Sequence, residues 1–191
     1  MKTAIVLAGR HEVTEERYQP IIDEFKNAGW PNVLLHRPDW QKLSIEELVA
    51  EFTRSLTASN APLTLLGFSL GAMIALIASS KIGVENIVLC SPSGYFLEYD
   101  SLLSVDDRKW AEKKLGDYKT FSAKEIIAGT TAKNGFIIAG ETELRAPDFK
   151  HWLDDLKSST QWSYTELPNT GHEIEAPNYQ NAIKTVIYTL A

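Results

Sequence analysis

Cysteine is almost missing from this chain of 191 residues, which holds only Cys90. A single thiol excludes an internal disulfide and leads to the expectation of a reducing, cytoplasmic setting. Because Cys90 ends an apolar run, it reads as a small buried hydrophobe rather than a nucleophile. Positive charge is also in short supply. Nineteen Lys and Arg stand against 25 Asp and Glu, for a net charge of −6 and a pI near 5.3. That balance argues against a nucleic-acid partner, which selects for basic stripes. No apolar run approaches the roughly 20 residues of a membrane span. The start, Met1-Lys2 before Ala4-Ile5-Val6-Leu7-Ala8, has the flavour of a signal peptide. Its apolar run is too short, however, and Gly9-Arg10-His11-Glu12 follows at once, so a strand is expected. No His or Cys cluster has metal-ligand spacing and no glycine-rich phosphate loop occurs, so neither metal nor cofactor is expected. Repeats and low-complexity linkers are absent too, and residues 1–191 are expected to form one domain.

What is present is ordinary for a globular protein, with 44% hydrophobic and 23% charged residues, so the order of the apolar segments has to carry the information. Thr3–Ala8 is a continuous apolar run that predicts a strand buried on both faces, and Asn32–His36, Leu63–Leu66, Glu85–Cys90 and Gly135–Ala139 predict four more strands. Gln161–Leu167 alternates and predicts a sixth. Helices are predicted between them: one with Pro20 near its start and Gly29 just past its end, and one opened by the capping box Ser44-Ile45-Glu46-Glu47. A third follows Ser69 to about Lys81, one starts at Pro147, and a closing helix starts at Pro177. Residues 91–133 interrupt the alternation with two short helices, capped at Ser104 and Ser122. Six strands alternating with helices predict an α/β fold with a doubly wound, mostly parallel sheet. In such sheets the loops beyond the strands' carboxyl ends converge on one crevice. Gly9, Ser69, Ser91, Gly140 and the loop holding His172 all fall there.

One of those loops is Gly67-Phe68-Ser69-Leu70-Gly71, between an apolar strand and an apolar helix. A G-x-S-x-G in that context has the form of a nucleophile elbow, where a sharp turn lifts the serine hydroxyl clear of the sheet. Glycine is wanted on either side because side chains there would strike the neighbouring strand and helix. The pentapeptide is short enough to arise by chance, so its weight depends on what else the chain supplies. A serine needs an imidazole to take its proton, and the imidazole needs a carboxylate to fix its tautomer. Of the four histidines, His11 and His36 follow early strands and His151 falls within a predicted helix. His172, in Gly171-His172 after the last strand, is the candidate base. Gly140-Glu141-Thr142-Glu143 offers two carboxylates between nucleophile and base, and leaves room for one helix and one strand before His172.

The elbow, the acid turn and the Gly-His loop, in this order, resemble the α/β-hydrolase superfamily over nearly the whole chain. The resemblance implies a minimal member that lacks the two N-terminal strands of larger relatives and carries residues 91–133 where they carry a lid. In similar proteins the acid turn commonly reads Gly-x-x-Asp, which favours Glu143 over Glu141. The resemblance also implies an oxyanion hole made by the backbone N–H of Leu70 and one from the loop after the first strand. There Ala8-Gly9-Arg10-His11 departs from the common His-Gly pair, leaving Gly9 or Arg10, with Arg10 preferred. Its side chain reads as solvent-facing or as a greeting for an anionic substrate. Tyr95 and Phe96 are candidates for lining a substrate pocket.

The function implied is a serine hydrolase that cleaves a small ester or thioester through Ser69, Glu143 and His172 and an acyl-enzyme, on a small-molecule acyl substrate. A non-catalytic binding protein of the same fold, or a triad hydrolase acting on a peptide or amide bond, is the alternative.

Overall fold

The computed structural model describes residues 2–10, 14–40, 44–56, 62–143 and 160–191. Strands β1 (Thr3–Leu7), β2 (Asn32–His36), β3 (Leu63–Phe68), β4 (Asn86–Cys90), β5 (Asn134–Gly140) and β6 (Gln161–Leu167) form one sheet in the order β2-β1-β3-β4-β5-β6. Every neighbouring pair is parallel. The chain steps outward from β1 to one edge, crosses back to β3, and then proceeds to the other edge. Both sheet faces are therefore covered by the crossover helices, as continuous apolar strands require. Helices α1 (Gln19–Asn27), α2 (Ile45–Leu56), α3 (Leu70–Ser79), α4 (Val105–Lys114), α5 (Ala123–Gly129) and α6 (Pro177–Leu190) supply that cover among the described residues. The helix expected from Pro147 lies outside them, as do His11 and His151.

Strand alternation divides the core in two. Ile5, Leu7, Leu65, Ile87 and Leu89 pack with α2 and α3 on one face. Ala4, Val6, Leu66, Phe68, Val88 and Cys90 pack with α1 and α6 on the other. Helix α3 is buried at every position, so it has no polar face to orient it. It is pinned between β1, β3 and β4 instead, and that makes its N-terminus a fixed point of the molecule. The thiol of Cys90 is fully buried, and burial, helped by the nearby Glu143 charge, pushes its pKa well up. It is the inert hydrophobe its position implied.

The helix boundaries have local causes. Ser44 and Glu47 cap α2 reciprocally: the Ser44 N–H donates to Glu47 Oε2 at 2.8 Å and the Glu47 N–H to Ser44 Oγ at 3.3 Å. Ser104 and Ser122 cap α4 and α5 through the N–H groups of Asp107 and Glu125. The carboxylate that completes the second cap comes from Glu98, which accepts from the Ser122 hydroxyl and from the N–H of Ala123 at 3.0 Å. The insertion also contains short 3-10 turns at Leu97–Leu102 and Tyr118–Thr120, which the sequence pattern did not predict. Asp100 ties them together, accepting from the Tyr118 hydroxyl at 2.6 Å and pairing with Arg108 and Lys119 at 3.4 and 3.3 Å.

His36 ends β2 with its ring 4.8 Å from that of Phe52. Burial lowers its pKa, and the Glu51 charge only partly restores it. The unfolded chain then binds a proton near pH 6.5 more readily than the folded one. Stability is full above that pH and declines as pH falls toward the depressed folded value. Thermal melts from pH 7.5 to 5 are expected to show a steeper fall in Tm for wild type than for His36→Leu. Parallel slopes would remove His36 from the account.

Candidate active site

At the carboxyl edge of the sheet, Ser69 separates β3 from α3 with φ 56° and ψ −122°. A non-glycine residue holds such a conformation only where its surroundings enforce it. The enforcement is visible on both sides. A Cβ on Gly67 would stand 2.5 Å from Ala72 Cα, and one on Gly71 only 2.4 Å from the Leu7 carbonyl oxygen. The turn is therefore closed against α3 at one glycine and against β1 at the other. The Ser69 N–H donates to the Cys90 carbonyl at 2.9 Å, and the Ser93 N–H donates to the Ser69 carbonyl at 3.2 Å. The backbone is thus tied to β4 and to the loop that follows it.

Ser69, Glu143 and His172 line one cleft of about 410 Å³, together with Arg10, Leu70, Ser91, Tyr95, Trp110 and residues between them. Glu143 Oε2 lies 3.3 Å from His172 Nδ1. Its other oxygen, Oε1, accepts from the Gly140 N–H at 2.8 Å and from the Ser91 hydroxyl, with the Tyr179 hydroxyl at 3.2 Å. Tyr179 reaches in from α6, and its phenol also stands 3.0 Å from the Ile138 carbonyl. Burial, with Cys90 and Glu143 nearby, pushes its pKa up and keeps it a donor. Ser91 is a second non-glycine residue at positive φ, 44°, which aims its hydroxyl at the same carboxylate. The His172 ring rests on Phe68 with centroids 4.8 Å apart. The imidazole is therefore oriented by Phe68, the residue just before Ser69, as well as by Glu143.

Glu141 takes another path. Its Oε2 accepts the Asn169 N–H at 2.9 Å, bracing the turn after β6, and it does not line the cleft. The two oxyanion-donor candidates also part company. The Gly9 N–H donates to the Tyr18 hydroxyl at 2.8 Å and is spent, whereas Arg10 lines the cleft. Leu70 opens α3, so its N–H has no intrahelical acceptor. Of the two pocket candidates, Tyr95 lines the cleft while Phe96 is fully buried in the core and takes no part in the lining. The backbone at Phe96 is extended, so adjacent side chains point to opposite sides. Ser69 Oγ meets Ser93 Oγ at 3.3 Å, and among the described residues no hydrogen bond joins it to His172. Among those residues, too, no group of three His, Cys, Asp or Glu side chains is placed to hold a metal ion.

Ser93, Trp110 and Tyr179 were not singled out from sequence, and Ser91 and Phe68 were named only for their places at a strand end and in the elbow. Ser91 carried a signal in its place immediately after β4, whereas nothing local marks Tyr179, in the closing helix, as a partner of Glu143.

No family model matches the chain, and no curated protein matches it in sequence. Solved structures match it in shape. Est1E from Butyrivibrio proteoclasticus superposes with a TM-score of 0.76 over 99% of this chain and 86% of its own, at 10% identity. MGS-MChE2, an α/β-hydrolase enzyme from a lagoon-sediment metagenome, gives 0.72 over 100% and 90% at 18% identity. The chain has the α/β-hydrolase fold. A monoacylglycerol lipase from Paleococcus ferrophilus agrees, with a TM-score of 0.71 over 98% of this chain and 95% of its own at 14% identity. In this α/β-hydrolase fold six parallel strands suffice to bring the β1, β3, β4, β5 and β6 loops to one cleft. Among the described residues no helix is long and apolar enough to cross a membrane.

Proposed function

We propose that this chain is a serine hydrolase that cleaves a small ester or thioester through an acyl-enzyme. The observation that carries the reading is the Glu143–His172 pair, held in one cleft with a serine at positive φ on an elbow closed by two glycines. With Nδ1 held by Glu143, His172 keeps Nε2 as the base. On substrate binding, Ser69 Oγ turns from Ser93 toward that nitrogen, gives up its proton and attacks the acyl carbon; such contacts often tighten only in the complex. The N–H groups of Leu70 and Arg10 receive the oxyanion, each worth about 3 kcal/mol of barrier in well-studied cases. His172 then returns the proton to the leaving oxygen or sulfur. Water, activated by the same imidazole, releases the acid and restores Ser69. A cleft of about 410 Å³ suits a small acyl substrate.

The Ser69–Ser93 contact favours one second reading, a binding protein that keeps the fold without the chemistry. A fluorophosphonate probe separates the two. The folded wild-type protein is expected to be labelled at Ser69, located by peptide mass mapping, with no label in Ser69→Ala. An unlabelled wild type decides for the binding protein.

A further inference from the structure

Arg10 and Trp110 face each other across the cleft. The guanidinium carbon lies 3.7 Å from the centre of the indole ring, a close stack between the loop after β1 and helix α4. Trp110 is itself held by aromatic neighbours, with Tyr95 at 5.4 Å and Tyr118 at 6.1 Å from Tyr95, and the Tyr118 hydroxyl is anchored on Asp100. The shelf under Arg10 is therefore rigid. Stacking occupies the face of a guanidinium and leaves its N–H edge directed outward in the ring plane, the edge that pairs with a carboxylate through two parallel hydrogen bonds. In a chain with 25 acidic residues an arginine ordinarily finds one of them. Among the described residues none pairs with Arg10. Among the described residues, the carboxylate and the imidazole that line the cleft, Glu143 and His172, engage each other, with Oε1 of Glu143 taken up by further donors.

We infer that the Arg10 side chain is a substrate-binding group, and that the cleft selects small acyl substrates bearing a carboxylate away from the scissile bond. The inference deepens the serine-hydrolase reading and rests on it. The backbone N–H of Arg10 serves the oxyanion while its side chain, from the same residue, receives the distant anion. Cleavage then requires the carboxylate and the carbonyl to be seated together.

Two matched pairs test this: 4-nitrophenyl hemiadipate against 4-nitrophenyl hexanoate, with the carboxylate on the acyl side, and 4-acetoxybenzoate against its methyl ester, with the carboxylate on the leaving group. Rates are corrected for the uncatalysed reaction. Wild type is expected to favour the anionic member of at least one pair by about tenfold or more in kcat/KM, as a charge-assisted pair implies. Adding NaCl to about 0.5 M should shrink that ratio. Arg10→Gln is expected to bring the ratio to within about twofold of unity, and Trp110→Leu to lower it part-way by freeing the guanidinium. Because each ratio is read within one variant, any general change at the oxyanion loop cancels. An equal ratio in wild type and Arg10→Gln, or a wild type that prefers the neutral esters, overturns the inference. If wild type turns over none of the four, the hydrolase reading is what fails. Calorimetric binding of adipate to wild type and Arg10→Gln then decides the role of Arg10: loss of binding in the variant supports it, and equal or absent binding overturns it.

Discussion

Glu143→Gln is expected to lower kcat/KM for a short 4-nitrophenyl ester by about 10³- to 10⁴-fold, against less than about threefold for Glu141→Gln. The size of the effect follows from a proton rather than from lost packing. Oε1 of Glu143 faces the Gly140 N–H and the hydroxyls of Ser91 and Tyr179. In the glutamine variant those donors hold the amide oxygen on that side, which turns the NH₂ toward His172 Nδ1. An NH₂ can only donate, so Nδ1 becomes the acceptor and the imidazole proton moves to Nε2. The base is then protonated on the nitrogen that must take the Ser69 proton. Glu141 meets a different demand. Its carboxylate accepts one backbone N–H, from Asn169, at an exposed site, and the oxygen of glutamine can accept it equally well. Equal effects of the two substitutions, or the reverse order, would transfer the acid role away from Glu143. A fall in KM and kcat together for Glu143→Gln would point to altered binding instead.

Gly71→Ala is expected to destabilise the protein by roughly 2 kcal/mol, a drop in Tm of about 4–8 °C, and to depress ester hydrolysis further than that loss explains. Two effects compete at this position. Alanine gains about 1 kcal/mol of helix propensity over glycine within α3. Against it, the added Cβ would lie 2.4 Å from the Leu7 carbonyl oxygen and 2.6 Å from that of Ala8. Both obstacles are backbone, so no rotamer change relieves them, and the cost falls at or above the upper end of the usual 1–3 kcal/mol for overpacking. Clash wins. Relief requires β1 and α3 to separate, which displaces the chain leading into Gly9 and Arg10 relative to the N–H of Leu70. The two proposed oxyanion donors come from those two elements, so they are pulled apart by the same movement. Differential scanning calorimetry and single-ester kinetics check both halves; an alanine variant as stable as wild type would show that the elbow has slack the geometry does not display.

The periodic parts of the chain were legible without coordinates. Apolar runs predicted five strands and alternation the sixth, all at nearly their observed bounds. The central strands, buried on both faces, can hold little but apolar residues, and an edge strand such as β6 alternates. The elbow was legible for the same kind of reason. Its constraints act within five residues, and glycine is what relieves them. Serine caps at 44, 104 and 122 are local too.

The choice between neighbours was not. Glu143 and Glu141 sit two residues apart on one turn, and the resemblance to a family favoured the former, but their partners are Ser91, Tyr179 and Asn169, on other elements. Gly9 and Arg10 are told apart by Tyr18, whose hydroxyl takes the Gly9 N–H. Tyr95 and Phe96 are told apart only by which way an extended backbone turns each of them. The stack of Arg10 on Trp110 joins residues a hundred positions apart that no periodicity relates. Sequence alone determined the sheet, the elbow and the order of serine, acid and histidine, since these rest on local sterics and on burial. Tertiary structure decided which carboxylate faces the histidine, which N–H is taken up by Tyr18 and which cation lines the cleft. Each of those depends on a hydrogen bond or a ring contact to a side chain that the fold brings from elsewhere.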